Sequence, residues 1–285
     1  MEFWFTELHT ENVKLSIKVD KQIYSEENDY NRIDIFESPE FGRVLSVDGY
    51  IIMTEKDEFI YHEMMTHIPM AVHPNPRKIL VFGSGDGGVV RELLKYPNVE
   101  SIDMVEVNVG VVEAAKKYLP FSASELDNPK VTIYTQNALR FIRHIEGKYD
   151  VIIVDSAGFY GPGESLLSRE FYGSCYKALT DDGIMVNQHQ SPFYKEDQIE
   201  TQKAHKRILD SFTICRVYQA HIPSYPSGYW LFGFASKKYH PVNDINAKRW
   251  NAMNIKTKYY TTNLHCGCFA LPAYVEKILT KVEEC

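Results

Sequence analysis

Alternating apolar and polar residues dominate the first sixty positions of the chain. The alternation is clearest over residues 15–19 (LSIKV) and 32–37 (RIDIFE), and this pattern predicts strands with one buried face. A further strand leads into Asp48 and Gly49, and an Asp-Gly pair between two apolar runs is a strong hairpin signal. We therefore predict a small antiparallel β-hairpin domain over residues 1–56.

The periodicity becomes helical near residue 57, and this helix is expected to stop at Pro69 and the His-Pro-Asn-Pro turn that follows it. Continuous Val and Ile runs then alternate with helical patterns, which is typical of parallel strands covered on both faces. Residues 57–285 are thus predicted to form an α/β, Rossmann-like, doubly wound parallel sheet. The predicted strands are 78–82, 102–107, 131–134, 151–154, 183–187 and 230–235, and the predicted helices are 89–94, 111–118, 138–145 and 199–212.

Composition narrows the possible partners and location. The chain has 285 residues, 44% of them hydrophobic, and a net charge of -7, which argues against a nucleic-acid partner because phosphate binding requires clustered Lys and Arg. The sequence shows neither a secretory signal nor an uncharged apolar run long enough for a membrane span, so we expect a cytoplasmic protein. The five cysteines are irregularly spaced, and we expect reduced thiols and no metal site.

The strongest local motif, GSGDGG at residues 83–88, joins a predicted strand to a predicted helix. Gly83, Gly85 and Gly87 would let the backbone approach a ligand closely. Glu106 ends the next predicted strand, at the distance where a carboxylate grips the two ribose hydroxyls in such folds. Asp86 would repel a pyrophosphate but attract a sulfonium nucleoside. The motif therefore predicts a nucleoside-cation site, the alternative being a glycine turn that tightens packing.

Several segments together carry a more specific pattern. They are DEFIYHEM (57–64), the glycine loop, YDVIIVDS (149–156), GPGESL (161–166) and IPSYPSG (222–228). This set resembles the spermidine synthases, the polyamine aminopropyltransferases, and the similarity extends to residues 270–272. The glycine loop alone indicates the fold type of S-adenosylmethionine-dependent methyltransferases.

The resemblance implies a donor, an acceptor and residue roles. The donor would be decarboxylated S-adenosylmethionine, with no permanently bound cofactor, and the acceptor an amine such as putrescine. The products would be spermidine and methylthioadenosine. By position, Glu106 would hold the ribose, Asp86 would bind the ammonium end of the aminopropyl group, and Asp155 would be the general base or orienting carboxylate. The other implied binding residues are Asn137 and Ala138 beside the adenine, and Tyr61, His62, Ser156, Gln188 and Tyr225 along the substrates.

The chemistry of alkyl transfer to an amine suits these residue types. An alkyl amine has a pKa of about 10.4, like Lys, so at neutral pH it is mostly protonated and not nucleophilic. A carboxylate at a strand end can take that proton while aligning the lone pair with the carbon next to sulfur. The leaving group is a neutral thioether, so neither an oxyanion hole nor a metal is required. The simpler alternatives are that Asp155 caps a turn, that Tyr225 packs in one, and that His62 is a core histidine.

The sequence departs from the family pattern on the acceptor side. Gly158 stands where the family has a second carboxylate after Asp155, Gln190 stands where it often has Glu or Asp, and Ile52 replaces a common glutamine. A charge-assisted hydrogen bond is worth about 1.5–3 kcal/mol, so losing one or two would weaken diamine binding by roughly one to four orders of magnitude. We hypothesise that putrescine is a poor acceptor, or that another nucleophile is the acceptor.

Two other functions remain open from the sequence. The first is a methyltransferase or another enzyme that uses intact S-adenosylmethionine, although Asp86 and Asp155 would repel the carboxylate of that donor. The second is a non-catalytic nucleoside-binding relative, which Gly158 and Gln190 favour. Relatives of this architecture are dimers or tetramers, so we expect a homodimer or homotetramer, and we expect a small-molecule amine substrate with no membrane partner.

Overall fold

The computed structural model describes residues 2–156, 166 and 168–283, and it begins with two small antiparallel sheets. The first is a hairpin of β1 (Phe3–Thr10) and β2 (Val13–Val19). The second is a four-stranded meander of β3 (Lys21–Glu27), β4 (Arg32–Ser38), β5 (Gly42–Val47) and β6 (Tyr50–Thr54). Asp48 and Gly49 both have positive φ, as the Asp-Gly signal requires for the β5–β6 turn. The predicted antiparallel N-terminal part is thus confirmed.

A seven-stranded sheet of order β12-β13-β11-β10-β7-β8-β9 follows. Its strands are β7 (Lys78–Gly83), β8 (Ser101–Val105), β9 (Val131–Tyr134), β10 (Tyr149–Asp155), β11 (Leu179–Gln190), β12 (Ile214–His221) and β13 (Tyr229–Ser236). Strands β9, β8, β7, β10 and β11 pair in parallel, whereas β13 runs antiparallel to both of its neighbours. The Rossmann-like α/β prediction is confirmed, but the sheet is mixed, since the reversed β13 lies between β11 and the unpredicted edge strand β12.

Helices cover both faces of this sheet. Within the described residues they are α1 (Glu58–Val72), α2 (Gly88–Leu93), α3 (Val109–Tyr118), α4 (Pro120–Ala123), α5 (Ala138–Ile142), α6 (Arg169–Ala178), α7 (Lys195–Leu209), α8 (Ala247–Ala252), α9 (Thr262–Gly267) and α10 (Ala273–Glu283). None of them is long and apolar enough to cross a membrane. The expected end of α1 is confirmed at the His-Pro-Asn-Pro turn but not at Pro69, which lies inside the helix. The helix runs on to Val72 and ends at His73, which is extended because it precedes Pro74.

One buried cluster joins the N-terminal meander to the large sheet. It contains Ile35 and Leu45 of the meander, Met64 of α1 and Val81 of β7, all with no exposed surface. A division of the chain between residues 56 and 57 remains a prediction, because the two parts share this core. This shared core holds the meander against the large sheet, and the cavity described next lies at their junction.

Candidate active site

A cavity of about 350 Å³ lies where parallel strands of the large sheet end and the N-terminal strands cover them. Ligands in open α/β sheets bind at this carboxyl edge. All but one of the binding and catalytic residues predicted from the sequence line this cavity. Those that line it are Tyr61, His62, Gly83, Gly85, Asp86, Glu106, Asn137, Ala138, Asp155, Ser156, Gln188 and Tyr225.

Backbone geometry explains why glycines occupy this loop, including Gly87, the one predicted site residue that does not line the cavity. Gly83 has a φ of +80°, and a Cβ there would overlap the carbonyl oxygen of Asp155, so the loop packs directly against the end of β10. Gly87 does not line the cavity. Its φ is +85°, and a Cβ would lie 2.8 Å from Cα of Ala123. Gly87 therefore starts α2 and packs against α4, which differs from the predicted ligand contact.

Asp86 is held by a line of charged side chains. Its Oδ1 accepts a 2.7 Å hydrogen bond from the Gly88 N–H and lies 3.2 Å from His62 Nε2. The other ring nitrogen of His62, Nδ1, is 2.5 Å from Glu58 Oε2, and Arg91 pairs with Glu58 at 2.9 Å. Both ring nitrogens thus face carboxylates, which is the arrangement of an imidazolium.

Burial and charge act in opposite directions on this pair. Burial alone lowers the pKa of His62, but the carboxylates of Asp86 and Glu58 outweigh it and raise that pKa to about 10. Burial alone raises the pKa of Asp86, but the charge of His62 outweighs it and leaves that pKa below its usual value. At neutral pH the pair is therefore an imidazolium beside a carboxylate.

Asp155 is the last residue of β10, and only one of its two carboxylate oxygens accepts a hydrogen bond from a described residue. Its Oδ1 accepts a 2.7 Å hydrogen bond from the Tyr61 hydroxyl. Its Oδ2 is buried and accepts no hydrogen bond of good geometry from a described residue, although the Ser84 side chain is near enough to lower the pKa of Asp155. Burial and the nearby charge of Asp86 raise the pKa of Asp155 to about 6. Such a group is largely ionised at neutral pH and can accept a proton or hydrogen bond from a ligand.

The nucleoside half of the cavity follows β8 and β9. Glu106 comes directly after β8, and its Oε1 accepts a 2.8 Å hydrogen bond from the Asn108 N–H. Burial raises the pKa of Glu106 to about 7, although the Asn108 N–H opposes this shift. Asn137 uses its side chain to cap α5 by accepting from the Arg140 N–H at 3.0 Å. The cap occupies Oδ1 of Asn137 and leaves its side-chain NH2 group and the backbone of Asn137 and Ala138 for a ligand.

The other half of the cavity is formed around Tyr225. The Tyr225 hydroxyl donates a 2.6 Å hydrogen bond to the carbonyl oxygen of Ile52 in β6, and its ring lies 4.8 Å from the ring of Trp230. The side-chain amide of Gln188 donates to the carbonyl oxygen of Ser156. The first bond fastens β6 to the segment between β12 and β13, and the second fastens β11 to the residue that follows Asp155.

Further acidic side chains in the cavity were not predicted from the sequence. Seven carboxylates line its described wall, and none of its described lining residues is Lys or Arg: the acids are Glu7, Asp48, Asp86, Glu106, Asp155, Glu196 and Asp197. A cavity of this charge favours cations and disfavours phosphates and carboxylates. Glu7 gave a weak signal as an acid at an inward position of β1, and Glu196 and Asp197 follow the pattern of a helix start.

Comparison with known proteins agrees with this geometry. Residues 58–247 match the spermine/spermidine synthase domain, and residues 3–55 match the spermidine synthase tetramerisation domain. The chain belongs to the spermine/spermidine synthase family. Full-length relatives include the polyamine aminopropyltransferases of Alkaliphilus oremlandii (58% identical) and Clostridium perfringens (57% identical), each covering 100% of both chains.

Solved structures show the same fold at full length. A spermidine synthase in complex with the transition state analogue AdoDATO superimposes with a TM-score of 0.95 at 42% identity, covering 98% of this chain and 95% of that one. The spermidine synthase of Thermotoga maritima gives a TM-score of 0.92, also at 42% identity, covering 98% and 94%. The resemblance inferred from the sequence motifs is thereby confirmed.

The structure describes two of the three residues that the sequence analysis expects to depart from the family pattern. Gly158 lies outside the described residues, as do residues 161–165 of the GPGESL motif. Gln190 lines the cavity with a φ of +99°, at an irregularity in the pairing of β11 with β13. A non-glycine residue in this region is strained, and such strain concentrates at ligand sites. Ile52 also lines the cavity.

Proposed function

We propose that this chain transfers the aminopropyl group of decarboxylated S-adenosylmethionine to an amine and releases methylthioadenosine. The observation that carries the proposal is Asp155, a buried carboxylate with one open oxygen at the junction of the two halves of an acidic cavity. The relatives named polyamine aminopropyltransferase and the spermidine synthase bound to AdoDATO support the same reaction.

The donor occupies the half formed by the glycine loop, β8 and β9. Glu106 accepts hydrogen bonds from the ribose hydroxyls, and the backbone of Asn137 and Ala138 lies beside the adenine. Asp86 binds the ammonium end of the aminopropyl group. His62 is a positioning residue in this scheme, since it fixes Asp86 Oδ1 from one side at 3.2 Å.

The amine is activated at Asp155. Tyr61 holds Oδ1, so Oδ2 is the atom that accepts the proton of the incoming ammonium. The freed lone pair forms the new C–N bond while the C–S bond breaks and its electrons return to sulfur. Sulfonium becomes a neutral thioether, so the positive charge moves from sulfur to the alkylated nitrogen, and Asp155 is left protonated until it releases the proton to solvent.

The charge of the cavity favours the decarboxylated donor over intact S-adenosylmethionine. Like charges about 4 Å apart repel by about 4 kcal/mol at the effective dielectric near a protein surface. The carboxylate of the intact donor would lie near Asp86 and Asp155, and none of the described lining residues is Lys or Arg. The donor without that carboxylate avoids the repulsion.

The experiment is to follow methylthioadenosine release from decarboxylated S-adenosylmethionine with putrescine, cadaverine, agmatine, 1,3-diaminopropane and spermidine. We expect release with at least one amine and a loss of at least 100-fold for Asp155→Asn, the range that general acid–base catalysis supplies. Asp150→Asn is the matched control, because Asp150 lies at the other end of β10 and binds the Arg77 N–H outside the cavity. No release with any amine from the wild type would contradict the proposal.

We propose that the chain acts as a homotetramer or homodimer in the cytoplasm. Residues 3–55 match a tetramerisation domain, and the hairpin of β1 and β2 exposes more than half of Phe3, Trp4 and Leu8. The four described cysteines are free thiols, which suits a reducing compartment. Light scattering on the purified protein and cell fractionation test these two points.

A further inference from the structure

The end of the cavity near β1 and α7 holds a histidine between two carboxylates. His9 Nε2 is 3.1 Å from Asp197 Oδ2, and His9 Nδ1 is 3.4 Å from Glu7 Oε1. The His9 side chain is 9% exposed and that of Glu7 is 3% exposed. All three line the same cavity as Asp155.

A continuous set of contacts connects this cluster to Asp155. The second oxygen of Glu7 accepts a 2.8 Å hydrogen bond from the N–H of Ile51 in β6. The next residue of β6, Ile52, receives the Tyr225 hydroxyl, and the rings of Tyr225 and Tyr61 are 6.2 Å apart. The cluster and Asp155 thus belong to one connected wall of the cavity.

His9 retains an unused hydrogen-bonding position. The Nδ1 atom is buried and lies 3.4 Å from Glu7 Oε1, which is longer than an ordinary N–H···O hydrogen bond, and no described residue meets hydrogen-bond geometry with it. When Nε2–H donates to Asp197, a neutral imidazole carries a lone pair on Nδ1. That lone pair and the Glu7 carboxylate together form an acceptor pair suited to the N–H donors of an ammonium group.

We propose that Glu7, His9 and Asp197 bind the second ammonium group of a diamine or polyamine acceptor while its reacting nitrogen lies at Asp155. This assignment rests on the proposed aminopropyl transfer. It places negative charge on the acceptor side through β1 and α7, in a chain whose sequence led us to expect that acids are missing at Gly158 and Gln190. The hypothesis that putrescine is a poor acceptor rests on those two residues and takes no account of the charge of this cluster.

The proton and the diamine compete for the same position. Burial lowers the pKa of His9, but Asp197 and Glu7 outweigh it and raise that pKa to about 9. The groups around the ring are these two carboxylates, on α7 and β1, and the Tyr194 ring at 4.5 Å, with Glu196 lining the same end. Since ammonium binding requires neutral His9, the KM of a diamine should fall by up to about tenfold per pH unit between pH 7 and 9.

The test compares putrescine with n-butylamine, a monoamine of equal length, at saturating donor. Asp197→Asn should raise the KM of putrescine about 10- to 100-fold, the value of a charge-assisted hydrogen bond, and leave the KM of butylamine within about twofold. Glu283→Gln is the matched control. It breaks the 3.0 Å pair between Glu283 of α10 and His205, which lies on the same helix as Asp197 but does not line the cavity. Equal effects on both amines, or no effect on putrescine, would overturn the inference.

A second variant and a binding measurement separate this inference from the proposed reaction. His9→Gln should flatten the dependence of putrescine KM on pH between 7 and 9, and an unchanged slope would count against the subsite. With methylthioadenosine present, putrescine should raise the Tm of the wild type and of Glu283→Gln but not of Asp197→Asn. Such binding without turnover would overturn the proposed reaction alone, whereas stabilisation that does not depend on Asp197 would overturn the subsite alone.

Discussion

The hydrogen bond from Tyr61 to Asp155 should set the acid limit of activity. Tyr61→Phe removes one hydroxyl and leaves the ring in place against Phe232 and Tyr225, at centroid distances of 5.4 and 6.2 Å. The lost bond is a 2.7 Å contact to the charged form of Asp155. Because that bond favours the carboxylate over the acid, its loss raises the pKa of Asp155.

The size of the shift follows from the strength of the bond. A hydrogen bond to a charged acceptor is worth about 1.5–3 kcal/mol, and one pKa unit corresponds to about 1.4 kcal/mol. Removing the bond therefore raises the pKa of Asp155 from about 6 by roughly one to two units. The active form is the carboxylate, so the rate falls as pH drops through this pKa. The acid limb of kcat/KM should move upward by the same one to two units.

The assay is the pH dependence of kcat/KM for methylthioadenosine release, from pH 5 to pH 9, at fixed ionic strength. Tyr172→Phe is the matched control, because the Tyr172 hydroxyl is equally buried, in α6, and has no hydrogen-bond partner among the described residues. Its profile should coincide with that of the wild type. An acid limb that stays in place in Tyr61→Phe would show that Asp155 does not act as the base, and the mechanism would have to be abandoned.

Two further predictions concern packing and charge. A Cβ at Gly88 would overlap the buried His62 ring, so Gly88→Ala should cost about 1–3 kcal/mol of unfolding free energy and abolish stabilisation by methylthioadenosine. Gly173→Ala in α6 meets no atom within 4 Å and should gain about 0.5–1 kcal/mol, and equal thermal shifts in the two variants would contradict this reasoning. Burial raises the pKa of Glu92, but His67 and Lys95 outweigh it and lower that pKa to about 2, so its stabilisation is present above about pH 4.3 and is lost as pH falls towards 2. Urea unfolding of Glu92→Gln should therefore approach the wild type between pH 5 and pH 3, and a constant difference would refute the assignment.

The donor half of the site could be predicted because each of its residues follows the end of a predicted strand. The glycine loop follows β7 directly, and Glu106 and Asn137 follow β8 and β9, so strand order alone places them at one edge of the sheet. Asp155 follows the same rule at the end of β10. For these residues, the position of a strand end in the sequence is enough to fix the position of the side chain.

The acceptor half could not be predicted in the same way. Glu7 and His9 belong to a hairpin outside the large sheet, and Asp197 belongs to the first turn of α7, about 190 residues later. The first turn of a helix is an ordinary place for an acid, so the sequence gives Asp197 no special meaning. Its role depends on the packing of the N-terminal strands over the sheet, which no local pattern encodes.

The two histidines of the cavity show how so many buried carboxylates can coexist. His62 lies between Glu58 and Asp86, and His9 lies between Glu7 and Asp197. Uncompensated buried charges cost several kcal/mol each, and an imidazolium at each end offsets part of that cost within the chain itself.

The two ends of the cavity differ in how readily the histidine can give up its proton. At the donor end both nitrogens of His62 face carboxylates at 2.5 and 3.2 Å, so the imidazolium is a fixed part of the structure. At the acceptor end His9 Nδ1 has no hydrogen bond to a described residue, so its proton is the one that a substrate ammonium can replace. The Asp86–His62 pair is therefore expected to keep a constant charge near neutral pH, whereas the affinity for a diamine is expected to rise with pH.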